Sequence, residues 1–153
     1  MFNGKIPLQL CQLLSLQIID LANNNLEKTI PRCFGNLTGM ILNEHSRPEY
    51  AQWFFENMVQ DMKGNELEYS TTTLLYLVNL DLSRNNLTGT IPEELSLLSG
   101  LLGLNLSHNN LTGSIPNKIG GLKSLESLDF SNNKLSGTIP ESMSNLSFIS
   151  HLN

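Results

Sequence analysis

The three histidines, His45, His108 and His151, are the side chains best suited to acid–base or metal chemistry near neutral pH, and they are scattered through the 153 residues. No spacing sets one of them beside a carboxylate, a thiol or a serine as a metal cluster or an activated nucleophile requires. Acidic residues do recur: Asp81 and Asp129 stand 48 apart with Asn105 midway, and Asp20 matches them further upstream. Like groups repeated at a constant interval make a polar column, not a close acid pair aimed at one atom. That column reads either as a solvated face or as a contact surface for a partner. Three positions further on, Asn23, Arg84, His108 and Asn132 form a second column. Arg84 and His108 differ from their neighbours in kind, so they are the first candidates for partner contact. The expectation is a protein that binds, with no enzyme activity, no cofactor and no metal.

A repeat must position these columns. The pattern Leu-x-x-Leu-x-x-Leu-x-Leu-x-x-Asn-x-Leu-x-Gly-x-Ile-Pro covers residues 74–92, 98–116 and 122–140, and in degraded form 13–31. Residues 2–7 are the tail of another copy and 146–153 the head of a last one. Leucine-rich repeats of roughly 20–29 residues carry this signature, and each unit buries its apolar face only against its neighbours. Both ends cut through a repeat, so the chain is expected to be an internal piece of a longer protein. No basic and apolar leader follows Met1, and no apolar run is long enough to span a membrane.

The Ile-Pro pairs locate a break. Pro7 to Pro31, Pro92 to Pro116 and Pro116 to Pro140 are each 24 apart, whereas Pro31 to Pro92 is 61, one period and 37 residues more. The division expected is repeats over 1–36, an insert over 37–73 and repeats over 74–153. Unstructured loops of that length are uncommon inside a compact array. The insert contains Tyr50, Trp53, Phe54, Phe55 and Tyr69, from a chain with one Trp, three Tyr and six Phe. Disordered segments are poor in aromatics, so the insert is expected to be ordered. Trp53 and Phe54 then either anchor it as core or stand exposed as a binding hot spot.

Within each copy the Leu-x-Leu core alternates as a half-buried strand should, and stacked strands make a parallel concave sheet. Asn24, Asn85, Asn109 and Asn133 follow the strand and point inward, where an amide can satisfy backbone groups of neighbouring coils. They are a structural ladder. Gly89, Gly113 and Gly137 are expected to take a backbone geometry that a Cβ hinders, and Lys28 stands where those glycines stand.

Cys11 and Cys33 occupy nearby positions of consecutive coils. Coils stacked at strand spacing, about 4.8 Å, suit a disulfide, although two buried free thiols are the other reading. Five sequons, at Asn36, Asn86, Asn105, Asn110 and Asn145, agree with an extracellular address, even though the repeat itself favours Asn beside Leu. A sugar on Asn105 would block the strand face, which leaves Asn36, Asn86, Asn110 and Asn145 as the expected glycosylation sites. The net charge of −5 is spread out with no basic block, which argues against nucleic acid and anionic membrane surfaces.

Asn-Asn-Leu-Thr-Gly-Thr-Ile-Pro at 85–92 and Asn-Asn-Leu-Thr-Gly-Ser-Ile-Pro at 109–116 resemble plant-specific leucine-rich repeats. In those repeats this segment forms a second, lateral strand. An array, an insert and a closing block of repeats are together similar to the ectodomains of plant leucine-rich-repeat receptor-like proteins, where the insert is called the island. The fold implied is an α/β-type solenoid, a right-handed superhelix with a parallel concave sheet. Residues 63–69, Lys-Gly-Asn-Glu-Leu-Glu-Tyr, are similar to the segment ending the island in that family. Phe54 stands where the family tends to have tyrosine. The resemblance implies that Lys63 and Tyr69 help recruit a co-receptor kinase with a short leucine-rich-repeat ectodomain, beside a peptide or protein ligand. It implies a parent protein on the extracellular side of the plasma membrane, in immune or developmental signalling. Rival readings are a receptor kinase ectodomain and a secreted inhibitor of microbial wall-degrading enzymes, whose arrays normally run uninterrupted.

Overall fold

The structure is a computed structural model that describes residues 1–41, 58–62, 65–69 and 77–153. Twelve strands lie among the described residues: β1 (Asn3–Lys5), β2 (Ile18–Asp20), β3 (Asn25–Lys28), β4 (Met58–Met62), β5 (Asn65–Tyr69), β6 (Asn79–Asp81), β7 (Asn86–Thr90), β8 (Gly103–Asn105), β9 (Asn110–Gly113), β10 (Ser127–Asp129), β11 (Lys134–Leu135) and β12 (His151–Leu152). The Leu-x-Leu segments give one parallel sheet, in the order β2, β6, β8, β10, β12. The Asn-Leu-Thr-Gly segments give a second, in the order β1, β3, β7, β9, β11. The lateral strand implied by the repeat type is therefore present, and the fold is a leucine-rich-repeat solenoid.

Its third side supplies the helical part of the α/β description with 3-10 turns. Among the described residues these are Leu8–Gln12, Arg32–Asn36, Thr38–Met40, Glu93–Leu97, Ile119–Gly121 and Glu141–Asn145. Proline explains most of them. Pro7, Pro31, Pro92 and Pro140 hold φ between −67° and −64° in extended backbone, and each carbonyl then accepts the amide three residues on at 3.1 Å.

The leucines of the pattern fill one continuous core running from Ile6 to Leu146. Phe34, Leu37, Leu80, Leu95, Leu104 and Leu128 are at most 1% exposed, each on the scale of 1.5–3 kcal/mol for full burial of such a side chain. Cys11 and Cys33 form a disulfide between the turns of the first two coils, with a Cα separation of 5.8 Å.

The insert leaves the array inside one coil. β2 pairs directly with β6, Ile18 with Asn79 and Asp20 with Asp81, so the sheet runs on across the break. Upstream of it, Gly39 N donates to Leu14 O at 2.7 Å, and Met40 O accepts from Gly100 N at 2.9 Å. Downstream, Asn79 N donates to Gln17 O and Val78 O accepts from Leu102 N. Residues 37–41 and 77–79 thus lie between the same two neighbouring coils. Leu37 and Met40, within the insert expected over 37–73, are fully buried members of the core. β4 and β5 form an antiparallel hairpin with Met58 opposite Tyr69. Trp53, Phe54 and Lys63 lie outside the described residues.

Candidate partner-binding surface

The asparagine ladder sets the geometry of the concave rim. Asn109 Oδ1 accepts from Leu87 N at 2.9 Å, while Nδ2 donates to Leu82 O at 2.9 Å and to Leu106 O and Ser107 O at 3.2 Å. Asn85 repeats this one coil earlier, accepting from Leu26 N and donating to Leu21 O, Leu82 O and Ser83 O. Asn133 accepts from Leu111 N, and Asn24 from Phe2 N. Each amide ties its own turn to the coil before it.

Immediately ahead of each ladder residue the chain adopts a left-handed conformation: φ is 54° at Asn23, 52° at Arg84, 52° at His108 and 53° at Asn132. Asparagine and histidine tolerate this region better than most residues, whereas arginine does so rarely. Backbone hydrogen bonds hold the conformation. Arg84 N donates to Ser107 O and His108 N to Ser131 O, both at 3.0 Å, and the two carbonyls accept from Asn24 N and Asn85 N at 3.2 Å. With their backbones fixed, all four side chains are exposed at the rim. Asn132 Nδ2 and His108 Nε2 are 3.2 Å apart, and Asn132 donates when the imidazole is neutral with Nε2 unprotonated. Arg84 brings a planar cation beside them.

The acidic column is less uniform than its spacing suggests. Asp20 is exposed and Asp129 half-buried, but Asp81 is only 5% exposed, with Asn79 and Ser83 beside it also buried. Asp81 Oδ1 accepts from Ser83 N at 2.8 Å, and Oδ2 accepts from Asn105 Nδ2 at 3.2 Å. Those bonds spend the Asp81 carboxylate on the fold. Asn105 in turn accepts at Oδ1 from Ser107 N and Oγ, and Ser107 is buried. The amide nitrogen and hydroxyl of that sequon are thus both engaged in the folded chain. Asn36, Asn86 and Asn145 are exposed and Asn110 is half-buried, all away from this face.

No group of three or more His, Cys, Asp or Glu among the described residues could hold a metal ion, and no described helix is long and apolar enough to cross a membrane. The surface can offer donors from Arg84, His108 and Asn132 over amide and carboxylate acceptors, an arrangement suited to an extended chain laid along the sheet. Sequence spacing finds these columns but gives no sign of the left-handed backbone beneath them. The signal available was the identity of the column itself: asparagine at two of four places.

Comparison with known proteins agrees with the architecture. The leucine rich repeat family models match residues 75–135 and 15–37. Receptor-like protein 53 and Receptor-like protein 35 of Arabidopsis thaliana are 34% and 36% identical over 102 residues, which is 65% of this chain and 9% of theirs. Among solved structures, the ectodomain of the Arabidopsis thaliana receptor kinase GASSHO1/SCHENGEN3, in complex with CASPARIAN STRIP INTEGRITY FACTOR 2, is similar with a TM-score of 0.72 and 31% identity, over 98% of this chain and 14% of that one. The Arabidopsis receptor kinase HAESA, in complex with the peptide hormone IDA and the co-receptor SERK1, gives 0.72 and 27%, over 99% of this chain and 19% of that one.

Proposed function

The chain belongs to the leucine-rich-repeat proteins and, among them, to the plant receptor-like proteins, and on that premise we propose that it is part of a cell-surface receptor that works by binding. Its parent would hold a peptide or protein ligand and a co-receptor with a short leucine-rich-repeat ectodomain on the extracellular side of the plasma membrane. The observation that carries this is the rim formed by Arg84, His108 and Asn132. These exposed side chains stand on consecutive coils, on backbone held by hydrogen bonds to a neighbouring coil, the next one for Arg84 and His108 and the preceding one for Asn132. Fixed donors lose little entropy when they meet a partner. The similar HAESA ectodomain, solved with a peptide hormone and a co-receptor, supports the same mode of use.

Two finer assignments go with this reading. Lys63 and Tyr69, at the end of the insert, would contact the co-receptor, as the family resemblance implies. Asn36, Asn86, Asn110 and Asn145 would carry sugars and leave the concave face clear. A second reading, the ectodomain of a receptor kinase, is favoured by the receptor kinases among the similar solved structures.

The test is binding of the purified co-receptor ectodomain to the secreted parent ectodomain, with and without ligand. Replacing Arg84 and His108 together with Ala should weaken ligand-dependent association by about 1–3 kcal/mol, the scale of one or two interface anchors. Lys63→Ala with Tyr69→Ala is the parallel experiment on the insert. Unchanged association in a normally folded, normally secreted double variant would refute the corresponding contact.

A further inference from the structure

The convex ridge holds a hollow outside the surface described above. It encloses about 320 Å³ and is lined by Glu93, Glu94, Ser96, Leu97, Lys118 and Gly121. Gly121 stands at its edge, closing a 3-10 turn at the place where the preceding coil has Leu97. A Cβ at Gly121 would lie 2.5 Å from Ser96 O, so the two turns approach too closely there for any side chain. Leu97 is 56% exposed at its edge. In the wall, the buried Ser96 hydroxyl has no hydrogen-bond partner among the described residues. Ion pairs Arg32–Glu94 and Lys118–Glu93, each 3.6 Å, frame the rim.

We propose that the first two sugars of an N-glycan on Asn36 lie along this ridge, covering Leu97 and entering the hollow at Gly121. Asn36 is the exposed sequon next to Leu97: turn 32–36 packs directly on turn 93–97, with the Cβ position of Gly35 only 2.6 Å from Glu94 O. From Asn36 to Gly121 is two coil steps, about 10 Å at strand spacing, a span that a disaccharide covers. The chemistry matches in two respects. The carbon face and acetamide methyl of N-acetylglucosamine suit an exposed leucine. Sugar hydroxyls can donate to the Glu93 and Glu94 carboxylates at the rim. The ridge sugar would then be a fixed part of the fold rather than a mobile coat.

This inference rests on the extracellular reading, and the experiment separates the two. The full chain is secreted with high-mannose glycans, and native endoglycosidase trimming between the first two sugars is followed at each sequon by glycopeptide mass spectrometry. The expected result is that Asn36 is trimmed about tenfold more slowly than Asn86 and Asn110, the effect of covering roughly half a leucine side chain. Leu97→Ser should bring Asn36 up to their rate and leave theirs unchanged. Should the serine variant also speed trimming at Asn110, a sign of lost folding, Leu97→Met decides: it keeps the apolar contact and must keep Asn36 slow. Equal rates in the unmodified chain, slow trimming at Asn145 in place of Asn36, or an empty Asn36 with the other sites occupied would overturn the proposal alone. Empty sites throughout would overturn the extracellular reading with it.

Discussion

Replacing Asn109 with Ala should unfold the array more readily than its single lost side chain suggests, by an amount that follows from the ladder. The Asn109 amide is 7% exposed and makes one bond as acceptor and three as donor. Two of the carbonyls it serves keep a second partner, since Leu82 O also accepts from Asn85 Nδ2 and Leu106 O from Asn133 Nδ2. Leu87 N–H is different: Asn109 Oδ1 is its acceptor, in a buried position. A buried donor left unpaired costs about 1–3 kcal/mol, and with the packing lost around the missing amide the loss should be about 2–3 kcal/mol. The same reasoning ranks the four rungs. Asn85 serves buried Leu26 N and should match Asn109. Asn133 serves Leu111 N, on a residue as fully buried as Leu87, but is itself half-buried and loses less packing, so it should lose about 1–2 kcal/mol, and Asn24, facing exposed Phe2 N, less than about 1 kcal/mol. Urea unfolding of the four alanine variants gives the measurement, with exposed Asn25→Ala as a control expected within about 0.5 kcal/mol of the parent. Four equal losses, or an Asn109→Ala loss no larger than the control, would refute the idea that orphaned amides set the energy of the rungs.

Four further outcomes test other parts of the fold. Cys11→Ser with Cys33→Ser should destabilise by about 3 kcal/mol, since the bridge closes a separation of 22 residues; peptide mapping without reduction should recover the two cysteines joined. Lys28 has φ of 70° where other coils place glycine, so Lys28→Gly should raise stability by about 1 kcal/mol in the same unfolding assay. Arg84→Asn should likewise stabilise, by several tenths of a kcal/mol, while weakening partner association. Gly113→Ala should cost more than Gly4→Ala, although φ is 77° and 78°. A Cβ on Gly113 meets Thr90 Cγ2 at 2.9 Å, whereas one on Gly4 meets nothing within 4 Å. Equal melting temperatures for the two variants would count against the coil-to-coil contact.

The insert and its neighbours show how far a linear pattern reaches. The 24-residue period announced the coil, the inward leucines and the asparagine ladder, because each of these is a local requirement met in every copy. A strand needs alternation, a turn away from it needs an amide for its buried backbone, and a proline forbids regular helix wherever it falls. The cysteines were legible as neighbours for the same reason, since a fixed period converts sequence offset into position across coils. The lateral strands came with the resemblance, and their glycines at positive φ gave a physical mark of it.

What depends on contacts between coils was decided only in three dimensions. Leu37 and Met40 repeat the spacing of Leu74 and Leu77, so spacing alone fits either pair to the same place in the coil. Packing put Leu37, Met40 and Leu77 together in the buried set. The burial of Asp81, unlike its exposed counterpart Asp20, comes from its surroundings and not from its type. Gly121 looks like any turn glycine until the stacked coils bring Ser96 O within 2.5 Å of where its Cβ would stand and set it with Leu97 at the edge of a hollow. A repeat specifies what each coil shares with the next. Where a coil departs from its neighbours, the consequence lies in the space between them, and only the stacked structure brings those residues together.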